Sequence, residues 1–277
     1  MELYTNTSYE LSRILTLRYS TSFGSSTKLF AVDIQPHIFA IYGLVRIADE
    51  IVDTYAGKDS RQQLDALEQE TYAAMKSGYC TNPIVHAFAQ TARRFAITKS
   101  LITPFFESMR MDLTPQDYTQ KLYEQYIYGS AEVIGLMCLK VFVQGDSARY
   151  DSLTPGAKAL GAAYQKVNFL RDIASDFKDR QRVYFPGVTF ENFDEAAKKE
   201  ILNDITKDFN DAHDAVAHLP ATAKKAVKLS YAYYYELLKK LNQTPASILK
   251  KRRVRVPTAR KIYLRVVQPT PKKKDLK

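Results

Sequence analysis

LGAAYQKVNFLRDIASDF, residues 160–177, is the most informative stretch of the chain for its fold. Apolar residues cover most sides of this stretch when it is drawn as a helix, which is typical of a helix inside a bundle. A polar stripe nevertheless runs along it at steps of three, four and four residues. The stripe consists of Gln165, Asn168, Asp172 and Asp176, with Arg171 on the neighbouring row. Ionised carboxylates are costly to bury without a cation, so this stripe requires a positively charged partner.

A second stripe of the same kind lies in PHIFAIYGLVRIADEIVD, residues 36–53. Its members are separated by four, three and four residues, which places them on one helix face. They are Tyr42, Arg46, Asp49 and Asp53. Most other residues of the stretch are apolar, so this segment is also predicted to be an interior helix.

Two acidic stripes that face each other across a cavity would form a site with oxygen ligands only. Such a site suits Mg²⁺, with Mn²⁺ as an alternative, and Mg²⁺ typically completes its shell with waters and substrate phosphate oxygens. Arg46 and Arg171 would offer forked N–H donors to the same phosphates. A buried network of salt bridges without a ligand is the alternative interpretation of the two stripes.

A third acidic pair, Asp204 and Asp208, has the same spacing in EILNDITKDFNDAHDAV, residues 200–216. Charged residues surround this pair, and no apolar wall accompanies it. We therefore expect a solvated helix face here rather than a site.

The composition predicts an all-α fold. The chain has 277 residues, 45% of them hydrophobic, with only 10 Gly and 11 Pro, so it can bury a core and is poor in turn-forming residues. No linker or repeat divides it, and we expect one domain over residues 1–277. Helices are predicted over residues 8–20, 36–55, 60–77, 83–96, 99–111, 116–144, 147–179, 193–218, 221–242 and 257–267.

The net charge of +10 is concentrated at the C-terminal end of the sequence. Residues 249–277, called the basic segment below, carry 12 Lys and Arg and one acid, whereas residues 1–248 carry 28 basic and 29 acidic residues. The basic segment is expected either to face a phosphate-rich partner or to be a solvated terminus. The two cysteines form no CxxC pair, the first residues show no basic region followed by an apolar one, and no uncharged apolar run reaches roughly 18 residues. We therefore expect a cytoplasmic protein.

Short motifs follow one another along nearly the whole chain. The matching residues are Ser20, Ser22 and Phe23 in S-x-S-F, Arg46, Asp49 and Asp53 in a first aspartate motif, Tyr128, Gly129, Ala131, Val133 and Gly135 in a tyrosine-led segment, Gln165, Asn168, Arg171, Asp172 and Asp176 in a second aspartate motif, Arg182, Tyr184 and Pro186 in R-x-Y-x-P, and residues 253–256 in R-V-x-V. In these motifs the chain resembles the squalene and phytoene synthase family, particularly its bacterial phytoene synthases. Glu132 departs from the pattern, because the family usually has a small residue there.

The resemblance implies an all-α isoprenoid synthase bundle with a central cavity and a prenyltransferase activity. The implied reaction joins two geranylgeranyl diphosphates head to head into the carotenoid precursor phytoene, through prephytoene diphosphate, with Mg²⁺-assisted release of diphosphate. The implied catalytic residues are Tyr42, Arg46, Asp49, Asp53, Tyr128, Asp172 and Asp176. The implied substrate-binding residues are Ser20, Ser22, Phe23, Arg46, Gln165, Asn168 and Arg171. The implied metal ligands are Asp49, Asp53, Asn168, Asp172 and Asp176.

Two related activities are alternatives. A dehydrosqualene or squalene synthase would condense farnesyl diphosphate instead, and the absence of a GxGxxG motif disfavours the NADPH-dependent squalene branch. The small residues 24–27 favour the longer substrate if they line the substrate tunnel. A class I terpene cyclase shares the D-E-x-x-D pattern of residues 49–53 and would cyclise a single diphosphate.

The substrates and product of the implied reaction are lipids, which gives the basic segment a specific expected partner. We expect it to contact an anionic membrane peripherally at the inner face, since each Lys or Arg near such a surface adds roughly 1 kcal/mol of attraction. No nucleic-acid partner is expected, because residues 1–248 are slightly acidic and contain no basic recognition helix.

Overall fold

The computed structural model describes residues 1–55, 57–114, 117–180 and 182–267, and the side chains of residues 21–23, 179 and 180 lie outside this description. Within the described residues the chain forms thirteen α-helices, two π-helical turns and no strand. The α-helices are α1 (Glu2–Tyr19), α2 (Thr21–Thr27), α3 (Gln35–Asp49), α4 (Ser60–Ser77), α5 (Pro83–Arg94), α6 (Lys99–Met111), α7 (Gln120–Ile127), α8 (Val133–Val143), α9 (Ser147–Arg180), α10 (Glu195–His218), α11 (Ala221–Gln243), α12 (Ala246–Leu249) and α13 (Thr258–Val267). The π-helical turns are Glu50–Tyr55 and Tyr128–Glu132. The predicted all-α class is confirmed.

Some helix boundaries follow capping residues of the sequence. The side chain of Asn82 accepts hydrogen bonds from the backbone N–H groups of Ile84 (3.1 Å) and Val85 (3.4 Å), so Asn82 caps α5 at its N-terminus. At the C-terminal end of α4, Gly78 adopts a φ of 79°, which glycine reaches without strain. The predicted C-terminal limit of α4 agrees with the structure for this reason, and the predicted limits of α6 agree as well.

Several predicted boundaries were wrong, and the helix predicted over residues 116–144 is α7, the second π-helical turn and α8. The first helix begins at Glu2 rather than at residue 8, and the sequence pattern did not predict α2 after it. The helix predicted over residues 36–55 is an α-helix only to Asp49 and continues as the π-helical turn Glu50–Tyr55. Hydrophobic periodicity does not separate these two helical forms, and single π-helical turns are frequent at functional sites.

The two helices with acidic stripes are fixed by apolar packing. α3 packs against α1, α5 and α8 and buries Ile38, Ile41 and Leu44. α9 packs against α8 and α10 and buries Val167 and Leu170. Burial of each such side chain contributes about 1.5–3 kcal/mol, so the core sets the rotation of both helices and hence the direction of their polar stripes.

Two glycines bring the second π-helical turn close to its neighbours. A Cβ atom at Gly129 would overlap the carbonyl oxygen of Pro104 in α6. A Cβ atom at Gly161 in α9 would lie 2.7 Å from the carbonyl oxygen of Ala131. Only glycine permits such close approach of two backbones. The turn, which begins with Tyr128, is therefore fixed between α6 and α9.

One apolar stretch, Gln120–Val143, has the length and composition of a membrane-crossing helix. It spans 24 residues with a mean hydropathy of 1.5 over its most apolar window, and 61% of that window is buried within the fold. In the structure it comprises α7, the second π-helical turn and α8. Core helices of a bundle have the same character.

Candidate active site

The first acidic stripe lies at the end of α3 and in the π-helical turn that follows. Arg46 forms ion pairs with Glu50 and with Asp49, whose Oδ2 lies 3.8 Å from Nη1 of Arg46. The Nε atom of Arg46 is buried and has no hydrogen-bond partner among the described residues. Burial raises the pKa of Asp49 to about 7, and the Asp53 carboxylate adds to the rise while Arg46 opposes it. The nearby Arg46 therefore does not offset the cost of burying an ionised Asp49.

Tyr42 is the first member of this stripe, and Ser20 lies beside it. The phenol of Tyr42 hydrogen-bonds with Ser20, and burial raises the pKa of Tyr42 to about 12. Tyr42 is thus a neutral phenol at any physiological pH. The side chains of Ser22 and Phe23, the other predicted residues of the S-x-S-F motif, lie outside the described residues.

The second acidic stripe is partly neutralised by two arginines. Nε of Arg171 donates a hydrogen bond to Oδ1 of Asp172 (2.9 Å), and Nε of Arg253 lies 2.7 Å from the same oxygen. Arg253 belongs to the basic segment, so the start of that segment lies against the stripe of α9. Asp176 is buried one turn further along α9, and its backbone carbonyl accepts a hydrogen bond from the N–H of Arg182 (3.1 Å).

The polar residues of the same stripe before Asp172 are half-buried. They are Gln165 and Asn168. Oδ1 of Asn168 is buried and has no hydrogen-bond partner in the part of the chain that the structure describes. Buried acceptors are normally hydrogen-bonded, so an unsatisfied amide oxygen beside two aspartates indicates a place for a donor or a cation.

Arg182 connects the two acidic stripes. Its backbone binds Asp176 at the end of α9, and its Nη1 lies 3.5 Å from Oδ1 of Asp53 in the first stripe. The same Nη1 donates to Oδ1 of Asp112 (3.2 Å), a buried carboxylate at the end of α6. A second connection runs through the phenol of Tyr234 on α11, which interacts electrostatically with Tyr42 and with Arg171. The two stripes are therefore brought to one region of the bundle.

Several residues of this region were not predicted as site residues. They are Asp112, Tyr126, Arg182, Tyr184, Tyr234 and Arg253. Three of them belong to motifs recognised in the sequence, namely Arg182, Tyr184 and Arg253. Their place in these motifs could have identified them as site residues. Asp112 is a single acid after a helix end, without periodic partners, and nothing in the sequence distinguishes it from a surface residue.

The third acidic pair is not a solvated face, so that prediction was wrong for one of its members. Lys166 on α9 is buried and forms ion pairs with Oδ2 of Asp204 (2.6 Å) and Oδ2 of Asp208 (2.7 Å). The side chain of Asp204 is 49% exposed, whereas that of Asp208 is 14% exposed. The pair lies on α10, and its ion pairs with Lys166 join α10 to α9. A buried ammonium requires such anionic partners.

Tyr128 lies at the start of the second π-helical turn and is half-buried. The ammonium of Lys158 lies 5.2 Å from the centroid of its ring. Lys158 also pairs with Glu132 (3.0 Å), so Glu132 is neutralised by α9. No contact of Tyr128 with the acidic stripes is described, and its catalytic role stays a prediction.

The donor chemistry of the site fits a divalent cation. The acidic side chains offer only oxygen atoms, the Asn168 amide oxygen is unsatisfied, and burial beside the Asp53 carboxylate raises the pKa of Asp49. Asp172, in contrast, is engaged by two arginines, and no group of three or more His, Cys, Asp or Glu side chains forms a ready metal shell within the described residues. The residues therefore fit Mg²⁺ as partial ligands whose shell needs further oxygens, such as those of a phosphate.

Comparison with known proteins gives one family. The sequence pattern of the squalene/phytoene synthase family matches residues 16–260. The chain is 29% identical over 281 residues to a 15-cis-phytoene synthase of Synechococcus elongatus, with 92% of this chain and 90% of the relative covered. It is 25% identical over 195 residues to a 4,4'-diapophytoene synthase of Staphylococcus haemolyticus, with 69% and 66% covered.

The fold agrees with this relationship. The crystal structure of a dehydrosqualene synthase in complex with a ligand superposes with a TM-score of 0.80 at 19% identity, covering 95% of this chain and 96% of the other. All six of the recognised motifs lie wholly inside the matched residues 16–260. The chain belongs to the squalene/phytoene synthase family, the prenyltransferases that join two prenyl diphosphates head to head.

Proposed function

We propose that this chain condenses two molecules of geranylgeranyl diphosphate into phytoene through prephytoene diphosphate, as a step of carotenoid biosynthesis. The observation that supports this function best is the connection of the two aspartate motifs by Arg182, which brings their carboxylates and arginines to one region of the bundle. The similarity to a phytoene synthase over 92% of the chain supports this substrate among those of the family.

The arginines of the site would bind the diphosphate groups. Arg46 has a free buried Nε–H, and Arg171 presents a planar guanidinium beside Asp172. A guanidinium binds phosphate oxygens through two parallel hydrogen bonds, which a lysine cannot do. These two side chains are therefore expected to orient the leaving groups of the two substrates.

The aspartates and Asn168 would hold the metal. The family generally uses Mg²⁺, and the oxygen donors of Asp49, Asp53, Asn168, Asp172 and Asp176 suit it. When bound, Mg²⁺ supplies positive charge that stabilises the departing diphosphate. The chain's own contribution is to hold the carboxylates as metal ligands. Without a cation, these carboxylates would repel the two anionic substrates.

Each of the two steps begins with loss of diphosphate and leaves an allylic or cyclopropylcarbinyl cation, which water would destroy. The walls of the site therefore need apolar and aromatic groups, whose ring faces attract positive charge. Tyr42 suits this role because it is a neutral phenol beside the first stripe. Tyr128 is assigned to the same role, from the second π-helical turn.

A farnesyl diphosphate substrate, giving dehydrosqualene, is the second candidate. The similarity to a 4,4'-diapophytoene synthase favours it. The small residues 24–27 do not decide between the two, because a Cβ atom at Gly24 would lie 2.8 Å from Cδ2 of Leu17. The small size of Gly24 therefore serves the packing of α2 on α1.

Product analysis tests the proposed substrate. The purified protein is incubated with Mg²⁺ and either geranylgeranyl or farnesyl diphosphate, with and without NADPH, and the hydrocarbons are identified by mass spectrometry. We expect phytoene from geranylgeranyl diphosphate, with no effect of NADPH. A hydrocarbon from farnesyl diphosphate alone would assign the chain to the second candidate, and a cyclic product from one diphosphate would make it a terpene cyclase.

A further inference from the structure

Within the described residues, α13 is attached to the bundle by one side only. Leu264 is buried against Leu229, Ala232 and Tyr233 of α11. Arg260 forms two hydrogen bonds with the Glu236 carboxylate on the same helix, at 2.9 and 3.1 Å. The attachment fixes which side of α13 faces outward.

The outward side of α13 is an apolar stripe. It consists of Ile262, Tyr263, Val266 and Val267. Ile262 and Val266 are one helical turn apart, and so are Tyr263 and Val267. Ile262 is 59% exposed and Val266 is 78% exposed, and no described residue covers them. Exposed apolar side chains that form a contiguous face, rather than single scattered residues, indicate an interaction surface.

Basic side chains border this stripe. Drawn as a helix, Arg260 lies along one edge of the stripe and Arg265 along the other. Over residues 249–267, the described part of the basic segment, the chain has eight Lys and Arg and no acid. An apolar helix face with cationic borders is the pattern of a helix that lies in a membrane interface.

We propose that α13 docks onto the headgroup region of an anionic lipid bilayer, with its apolar stripe toward the acyl chains and its arginines at the phosphates. A second copy of this chain fits the surface poorly, because two basic segments would repel each other. A nucleic acid would bind the charges but leave the apolar stripe exposed to water. The proposal stands apart from the identity of the substrate.

Vesicle sedimentation tests the proposal with the full-length protein. The protein is mixed, in buffer with EDTA, with phosphatidylcholine vesicles that contain or lack phosphatidylglycerol. We expect co-sedimentation only with the anionic vesicles, weakening as salt is added. The variant Ile262→Ser/Val266→Ser should lower the partition coefficient about tenfold or more, because it removes most of the inserted apolar area. The variant Arg252→Gln/Arg265→Gln should lower it about fivefold per charge.

A matched control uses two exposed apolar residues elsewhere. Leu3→Ser/Ile14→Ser on α1 removes comparable side chains and should sediment like the wild-type protein. Turnover in detergent solution is measured separately, so loss of vesicle binding is distinguished from loss of activity. Unchanged vesicle binding of the Ile262/Val266 variant would overturn the proposal. So would a solution dimer that this variant dissociates without any effect on vesicle binding, or retention of the wild-type protein by a DNA oligonucleotide without any binding to anionic vesicles.

Discussion

Nη1 of Arg182 lies 3.2 Å from Oδ1 of Asp112, and this ion pair is buried where the two acidic stripes meet. The Asp112 carboxylate also accepts hydrogen bonds from the hydroxyls of Tyr126 (2.7 Å) and Tyr184 (3.1 Å). With three donors around it, Asp112 fixes the guanidinium that reaches Asp53. Asp112 is therefore a positioning residue for the first aspartate motif.

Replacing Asp112 tests this relationship. Asp112→Asn should destabilise the fold by about 2–3 kcal/mol, because the Arg182 guanidinium loses its buried anion. Turnover measured where the variant is folded should fall about tenfold, with a higher Mg²⁺ requirement, because Arg182 no longer orients Asp53. Urea unfolding and a Mg²⁺ titration of activity measure the two effects.

Asp65→Asn is the matched control, since Asp65 is an exposed partner of Arg110 at 2.7 Å. This change should cost less than about 1 kcal/mol. Equal stability and equal Mg²⁺ dependence of Asp112→Asn and Asp65→Asn would show that Asp112 has no special role.

The Lys166 cluster predicts different costs for two aspartates with the same sequence spacing. Asp208→Asn should destabilise the fold by about 3 kcal/mol, because buried Lys166 keeps only the exposed partner Asp204. Asp204→Asn should cost less than about 1 kcal/mol. Urea unfolding of the two variants measures the difference. An equal loss of stability in the two variants would mean that the ion pairs of Lys166 are solvated.

His37 predicts a pH dependence of stability. Burial, with the nearby Arg94 guanidinium, lowers the pKa of His37 to about 4. An unfolded histidine titrates near 6.5, so between about pH 4 and 6.5 the unfolded chain binds more protons than the folded one. The neutral ring therefore makes its full contribution to the free energy of unfolding above pH 6.5. This contribution is lost as the pH falls toward 4, and the total loss is about 3 kcal/mol.

Urea unfolding across this pH range checks the assignment. His37→Gln should show a smaller decline of stability with falling pH than the wild-type protein. His218→Gln, at an exposed site, should decline like the wild type. A wild-type decline that is unchanged in His37→Gln would place the pH-sensitive group elsewhere.

The sequence predicted the helices well where capping residues mark their ends, as Asn82 and Gly78 do. It also predicted that Asp49, Asp53, Asp172 and Asp176 lie on two packed helices, because regular spacing on an apolar background is a strong pattern. The π-helical turns were not predictable, since they have the same hydrophobic residues as the α-helices they continue.

Long-range pairing accounts for the remaining differences. Asp208 looks solvated in its own segment because its partner Lys166 is 42 residues away, on α9. Asp112 and Arg182 are 70 residues apart and meet only through the packing of α6 beside the end of α9. Such contacts leave no periodic pattern in either segment.

The central claim is that diphosphate leaves at the carboxylates of the two stripes. The most direct measurement is phytoene formation from geranylgeranyl diphosphate and Mg²⁺ by Asp49→Asn and Asp172→Asn, compared with Asp204→Asn and the wild-type protein. We expect turnover of the first two to fall about a thousandfold or more, with their folds intact by circular dichroism, and that of Asp204→Asn to be nearly unchanged. Wild-type rates in Asp49→Asn and Asp172→Asn would contradict the account.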